Sequence, residues 1–198
     1  MRIPRLCALA TKASALCFAA FCLSSSLASA QSIFKMPEIN VFAGYSLLRF
    51  DSVPFGFAKT LNLNGGNMEV SLPDLYQGIG IAADFSGHHS PQAEQFNFMI
   101  GPQYRHEVKG VDLFGHILFG KTRTRLLEIG TAQFQPSTLG YSVALGGGLD
   151  IPVGKRFSIR PIQADYLVSS EFGSRRHNIR YSTGLVIKFG KKTEAPSF

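Results

Sequence analysis

The stretch QFNFMIGPQYR, residues 95–105, alternates between two kinds of residue along its whole length. One set of positions is apolar or aromatic and consists of Phe96, Phe98, Ile100, Pro102 and Tyr104. The other set is mostly polar or small and consists of Gln95, Asn97, Met99, Gly101, Gln103 and Arg105. Because successive side chains of a β-strand point to opposite faces, this period of two predicts a strand that separates two different environments.

The same period recurs in seven further segments, so eight strands are expected. The other predicted strands cover 40–50, 66–72, 78–86, 111–121, 141–150, 157–167 and 178–189. The phase breaks near Pro161, where a bulge returns Arg160 and the later polar residues to one face. Short links at 73–75, 105–110 and 152–156 alternate with longer segments at 51–62, 87–94, 121–140 and 168–177. This pattern predicts an all-β fold, an eight-stranded antiparallel up-and-down barrel.

One face of the predicted strands collects glycine and charged residues, whereas the other face is apolar. Glycine weakens a solvent-facing strand but suits a narrow barrel interior, where bulky side chains from opposite walls collide. The charges of this face balance in sign, as a buried polar network requires. The sequence therefore predicts a transmembrane β-barrel with its apolar face against lipid. The predicted lumen network is Glu69, Asp84, Arg105, Asp112, His116, Asp150, Arg160, Arg180 and Lys188.

Aromatic residues of the apolar face lie near the ends of the predicted strands. One group lies toward the longer connections and comprises Phe85, Phe96, Phe119 and Tyr141. The other lies toward the short turns and comprises Tyr104, Phe157 and Phe189. Two such belts are typical of the aromatic girdles that lie at membrane interfaces.

The first thirty residues have the pattern of an export signal. Three basic residues precede the apolar run 13–23, and Ala28-Ser29-Ala30 predicts cleavage before Gln31. All three cysteines lie within this segment, so no disulfide is expected in the exported chain. The predicted organisation is a cleaved signal peptide (1–30), a lead-in (31–39), the barrel (40–189) and a periplasmic tail (190–198).

Charge and motifs exclude several classes of function. Removing the three basic residues of the signal from the total of 20 leaves 17 against 13 acidic residues, a net charge of +4. Charges so dispersed predict no nucleic-acid partner. No phosphate loop, metal motif or paired cysteine occurs after residue 30, so no catalytic, cofactor or metal site is predicted.

The last strand contains a more specific signal. The segment STGLVIKF, residues 182–189, resembles the terminal-strand pattern that outer-membrane assembly machinery recognises, with Ser182, Gly184, Ile187 and Phe189 at the matching positions. In many such proteins the aromatic residue ends the chain, whereas here nine residues follow it.

Taken with the segments NVFAGYSLLRF, GIGIAADF, LFGHILFG and ALGGGLDIPV, this signal extends the resemblance over residues 40–189. The chain resembles the small outer-membrane β-barrel family, the OmpA-type eight-stranded, porin-family-like proteins. The resemblance implies location in the outer membrane of a Gram-negative cell and this barrel fold. Members of the family differ in function.

The sequence thus predicts a monomeric outer-membrane barrel that is not an enzyme, with a side-chain-filled lumen and a structural or surface-interaction role through its extracellular loops. Its expected partners are outer-membrane lipid, lipopolysaccharide and the barrel assembly machinery. Arg123 and Arg125, in the longest predicted loop, are candidates for contact with lipopolysaccharide phosphates. Three alternatives stay open: a small-solute pore, a soluble lipocalin-like ligand-binding barrel in the periplasm, and a membrane-barrel lipid hydrolase using His88, Ser90 and Glu94 of one predicted loop.

Overall fold

The computed structural model describes residues 38–51, 60–127, 137–171 and 173–190. The predicted signal peptide, and the predicted tail beyond Gly190, lie outside these residues. Within them no helix is long and apolar enough to cross a membrane. The described chain forms eight strands: β1 (Ile39–Phe50), β2 (Leu61–Tyr76), β3 (Ile79–His89), β4 (Ala93–Val108), β5 (Val111–Leu126), β6 (Ser137–Pro152), β7 (Phe157–Glu171) and β8 (Ser174–Phe189).

These strands pair antiparallel in chain order, and β8 returns to β1 to close the barrel. The predicted fold class is therefore confirmed. Starting at Ala43 on β1 and moving from each residue to its partner on the next strand, one circuit of the barrel ends at Arg175 on β8. Ala43 itself pairs with Leu185 on β8, so the strands of the closed barrel are staggered by ten residues. Such a stagger tilts the strands, and with eight strands it leaves an interior that side chains can fill.

The closing seam between β1 and β8 depends on two facing glycines. Gly44 pairs with Gly184, and a Cβ on Gly44 would overlap the carbonyl oxygen of Thr183. A Cβ on Gly184 would likewise overlap the carbonyl oxygen of Ala43. Glycine at these positions lets the first and last strands approach closely enough to close the barrel.

The bulge predicted near Pro161 is present. The register between β7 and β8 shifts between Arg160 and Gln163, so that Arg160, Gln163 and Asp165 all lie buried in the lumen. Asp165 was absent from the predicted lumen network because the sequence left its phase unresolved on the far side of the bulge.

The turns at one end of the barrel are tighter than predicted. Gln77-Gly78 and Lys109-Gly110 both have positive φ angles, as two-residue hairpin turns require. The predicted link at 73–75 was wrong, since those residues belong to β2 beside a register shift between Leu72 and Tyr76. This end also holds Ile39 and Phe189, the outer bounds of the first and last strands, and is called the terminal end below.

The opposite end, called the loop end, differs more from the prediction. The segments 87–94 and 168–177 were predicted as long connections, but they are mostly strand. Only residues 90–92 separate β3 from β4, and only 172–173 separate β7 from β8. Strands β5 and β6 also extend into the predicted loop 121–140, as far as Leu126 and from Ser137. The polarity of these extensions, described below, explains why the sequence pattern missed them.

Candidate functional site: the barrel lumen and the loop-end collar

The outer wall of the barrel is apolar through its middle. Phe98 and Leu185 are exposed on it to 59% and 58%, and every strand contributes aliphatic or aromatic side chains to the same surface. The buried side chains of the same strands are mostly polar or charged. A soluble ligand-binding barrel has the opposite polarity, so the lipocalin-like alternative was wrong. The fold is a transmembrane β-barrel.

Arg180 of β8 forms ion pairs with two carboxylates in the lumen. Its Nη1 and Nη2 donate to the two carboxylate oxygens of Asp84 at 2.7 and 3.0 Å, in a forked geometry. Its Nε donates to Asp165 Oδ2 at 2.8 Å. Asp84 lies on β3 and Asp165 on β7, so one guanidinium joins three strands across the interior.

Arg160 of β7 fills the cross-section nearer the terminal end. Its guanidinium lies 4.3 Å from the ring centre of Phe42 on β1 and 4.1 Å from that of Phe114 on β5. Strands β1 and β5 stand on opposite sides of an eight-stranded barrel, so the two rings and the cation between them span the lumen. The same side chain donates to Asp150 Oδ1 at 2.7 Å and to Glu69 Oε1 at 3.3 Å.

His116 lies between two carboxylates. Its Nε2 is 2.8 Å from Asp165 Oδ1, and its Nδ1 is 3.5 Å from Glu69 Oε2. The contact with Asp165 is a hydrogen bond, whereas the contact with Glu69 is at ion-pair distance only, and a positively charged ring suits a place between two carboxylates. With Asp165 and the buried Glu171–Arg176 pair included, the lumen holds six carboxylates against four arginines and Lys188, and a charged His116 makes these charges balance.

The remaining predicted lumen residues lie at the terminal mouth. Lys188 Nζ donates to Asp112 Oδ2 at 2.7 Å, and Arg105 Nη1 donates to Asp150 Oδ2 at 2.7 Å. Arg105, Asp112 and Lys188 line the inner side of a cavity of about 770 Å³ that also touches the turn residues Lys155 and Arg156. All nine predicted side chains therefore lie along the lumen, from this mouth to the level of Arg180.

Toward the loop end the polarity of the wall reverses. Several inward positions become apolar: Phe50 ends β1, Leu63 lies near the start of β2, Ala93 begins β4 and Leu126 ends β5, and all four are buried in one cluster. On β7 and β8 the inward positions at this end stay charged, where Glu171 pairs with Arg176. The four apolar residues, together with Leu48 and Leu61, are called the apolar cap. The alternation continues here with its faces exchanged, so a pattern with apolar residues facing outward could not detect the strand extensions.

The outward positions of the same extensions are basic. Their exposed cationic side chains form the basic collar, which consists of Arg49, Lys121, Arg123, Arg125 and Arg175. Arg123 and Arg125 were predicted to lie in a loop, and this was wrong because both belong to β5. Thr122 and Thr124, which alternate with them, are buried in the lumen, so the arginine side chains point sideways from the wall.

The three residues considered for a hydrolase do not converge. His88 is buried in the lumen, where its Nε2 lies 2.9 Å from Ser46 Oγ. Ser90 instead closes the turn to Ala93, donating to its carbonyl oxygen at 3.2 Å. Glu94 contacts the exposed His89 at 3.2 Å on the outer wall. Among the described residues, no group of three His, Cys, Asp or Glu side chains is placed to hold a metal ion.

The residues of the predicted assembly signal lie at the seam and on the outer wall. Ser182 is buried, and its hydroxyl is 3.0 Å from that of Ser46 across the seam. Gly184 faces Gly44 as described above. Ile187 and Phe189 are exposed on the apolar wall at the terminal end, beside β1.

Comparison with known proteins gives likeness of fold alone. No protein-family model and no curated protein matches the chain. Among solved structures, Neisserial surface protein A superposes with a TM-score of 0.58 at 9% identity, covering 77% of this chain and 96% of that one. Ail, the attachment invasion locus protein of Yersinia pestis, gives a TM-score of 0.53 at 20% identity, covering 77% and 99%.

A second structure of Ail, in complex with the heparin analogue sucrose octasulfate, gives a TM-score of 0.52 at 18% identity, covering 77% and 98%. These neighbours and the described chain share a closed barrel of eight antiparallel strands. The chain has the fold of the small eight-stranded outer-membrane β-barrels, as its resemblance to that family predicted.

Proposed function

We propose that the protein is an outer-membrane barrel that does not conduct solutes and that acts through the surface it presents outside the cell. In the orientation that we propose, the terminal end faces the periplasm and the loop end faces the outside of the cell. The observation that carries the proposal is that side chains span the lumen, since Arg160 fills the space between Phe42 and Phe114 of opposite walls.

Two barriers of different kind support a closed lumen. The first is the ion-pair network, whose cations are held by carboxylates of other strands and are not free to move with a passing ion. The second is the apolar cap above it, whose packed side chains lie beside the buried Glu171–Arg176 ion pair. Function therefore falls to the outward surface, which comprises the basic collar and the loop-end connections.

The expected conductance of the purified, refolded protein in a planar bilayer is close to the background of the membrane. Insertion is verified by the shift in gel mobility between unheated and boiled samples, which reports the folded barrel. An open porin, inserted in the same membrane, supplies the matched positive control. Steady currents of the size of that porin would show that the lumen is open and would favour the alternative of a small-solute pore.

We further propose that Ser182, Gly184, Ile187 and Phe189 form the signal that the outer-membrane assembly machinery engages. Support comes from their place on β8, the strand that must meet β1 to close the barrel. Ile187 and Phe189 present their side chains outward at the terminal end, the end at which machinery on the periplasmic side would first meet the strand.

Phe189→Ser is expected to lower the folded, heat-modifiable fraction in the outer membrane of expressing cells severalfold. The matched control is Phe157→Ser, because Phe157 is exposed to 53% against 49% for Phe189 and lies at the same end on β7. Both variants lose similar lipid contact, so both are expected to refold alike from urea into detergent. Equal losses of the two variants in cells would show that Phe189 acts through stability alone.

A further inference from the structure

We propose that the outer wall of β5 and β6 at the loop end is a binding site for the phosphate groups of a membrane glycolipid headgroup. The site is built on the β5 ladder, defined as Lys121, Arg123 and Arg125. This inference rests on the proposed outer-membrane location, because that location places glycolipid beside the loop end.

The β5 ladder is an aligned row of cations on one strand. Its three residues occupy alternate positions, so their side chains leave the same face at intervals of about 6.7 Å. Arg125 Nη1 lies 3.6 Å from Glu94 Oε2 and is partly neutralised. No carboxylate of the described residues forms an ion pair with Lys121 or Arg123, so these two carry the uncompensated charge of the β5 ladder.

Neighbouring groups complete a surface suited to a sugar phosphate. Lys121 Nζ lies 6.0 Å from the ring centre of Tyr141 on β6, which is exposed to 76%. Arg123 Nε donates to Ser137 Oγ at 3.3 Å, which holds the guanidinium against β6 and leaves its terminal nitrogens available. Arginine and lysine beside a hydroxyl and an aromatic ring bind phosphate through charge-assisted hydrogen bonds.

The depth of the β5 ladder favours lipid over a soluble polyanion. Lys121 pairs with Phe98 and Tyr141, and Arg123 pairs with Phe96, so the cations begin beside the outward aromatic residues. Aromatic belts lie at the level of the lipid headgroups. Cations that point sideways at that depth face the headgroups of neighbouring lipids, whereas a polymer arriving from water meets the loop tips first.

The test compares two lipids that differ only in phosphate. Purified protein in a maltoside detergent, which contains no phosphate, is titrated with diphosphorylated lipid A and with the same lipid A after removal of both phosphates. The unmodified protein is expected to bind the phosphorylated form about tenfold or more tightly, because the cations of the β5 ladder attract its phosphates. The variant K121Q/R123Q is expected to lose most of this preference.

Two matched controls separate the effect of the proposed site on lipid binding from the effect of net charge. K155Q/R156Q removes the same charge at the terminal end, and R49Q/R175Q removes it from the loop end on the opposite wall. Both are expected to keep the preference for phosphorylated lipid A. Equal binding of the two lipids by the unmodified protein, or equal loss in K121Q/R123Q and R49Q/R175Q, would overturn the proposal.

A soluble polyanion distinguishes a site for lipid phosphate from a site for anionic polymers that arrive from water. Dextran sulfate is added to the protein in discs of zwitterionic phospholipid, where lipid shields the wall, and no binding through the β5 ladder is expected. Binding that K121Q/R123Q abolishes would show that a soluble polyanion reaches the β5 ladder past the lipid, and the lipid assignment would then be wrong. The gel shift and the conductance of K121Q/R123Q report the barrel itself, so failure of the lipid site is distinguishable from failure of the proposed function.

Discussion

Arg180→Met is expected to lower the free energy of unfolding by about 3–5 kcal/mol, because it leaves buried carboxylates without their cation. The guanidinium is fully buried, and its terminal nitrogens and Nε hold Asp84 and Asp165 from different strands. Methionine fills a similar volume but donates no hydrogen bond. Reversible urea unfolding in phospholipid vesicles, followed in both directions, gives the measurement.

A second variant tests whether the cost is electrostatic. In Arg180→Met with Asp84→Asn, the unpaired carboxylate of β3 becomes neutral, while Asp165 keeps His116 and the Nε2 of Gln163 as partners. Much of the lost stability is therefore expected to return. Arg175→Met, on the outer wall of the same strand, is the control and should change stability by no more than about 0.5 kcal/mol. A cost at Arg180 no larger than at Arg175 would show that the network does not hold the barrel together.

The middle of the barrel was predictable from sequence because one physical rule governs it. Between the aromatic belts, lipid requires apolar side chains outside, and the narrow lumen takes mostly polar or small ones inside, apart from larger apolar residues such as Phe42 and Phe114, which pack against Arg160. Segments such as 95–105 meet both requirements, so one pattern predicted both the strand and the side chains that face the lumen. Parity gave the predicted lumen residues once glycine and charge had identified the inner face, and only Arg160 also needed the bulge near Pro161.

The loop end was not predictable by the same rule because the solvent outside the wall changes there. Above the belts the outward side chains meet headgroups and water, so Arg49 and Arg125 lie outside while Phe50 and Leu126 pack inside. Parity is preserved but polarity is exchanged, and polar outward positions were interpreted as loop. Testing each strand end for this exchange would have extended β5 past Lys121 and placed Arg123 and Arg125 on the wall.

The ion-pair partners across the lumen also could not be predicted from the sequence. Parity assigns a side chain to the interior, but the stagger of the closed barrel decides which interior side chains meet. Arg180 and Asp84 are 96 residues apart, and no local pattern relates them. Asp165 was missed for a more local reason, since the bulge after Arg160 shifts the parity of all later residues of β7.

Ile100→Arg is expected to lower the free energy of unfolding by about 2–4 kcal/mol, the cost of a cation at the bilayer midplane. Ile100 is exposed on the outer wall of β4, four residues from Phe96 toward the loop end and four from Tyr104 toward the terminal end. It therefore lies midway between the two aromatic belts. Urea unfolding in phospholipid vesicles measures the change, since detergent would soften the dependence on depth.

Val108→Arg is the matched control, because Val108 lies on the same face of the same strand but beyond Tyr104. The arginine there reaches the aqueous side, so the expected cost is about 0–1 kcal/mol. The difference in the free energy of unfolding between the two variants isolates the effect of depth from the intrinsic preference of arginine for a strand. The strand and the face are the same in both, and both replaced side chains are β-branched and aliphatic. Equal costs at positions 100 and 108 would mean that no lipid core surrounds the middle of β4. The apolar wall would then have to be covered by something other than a bilayer.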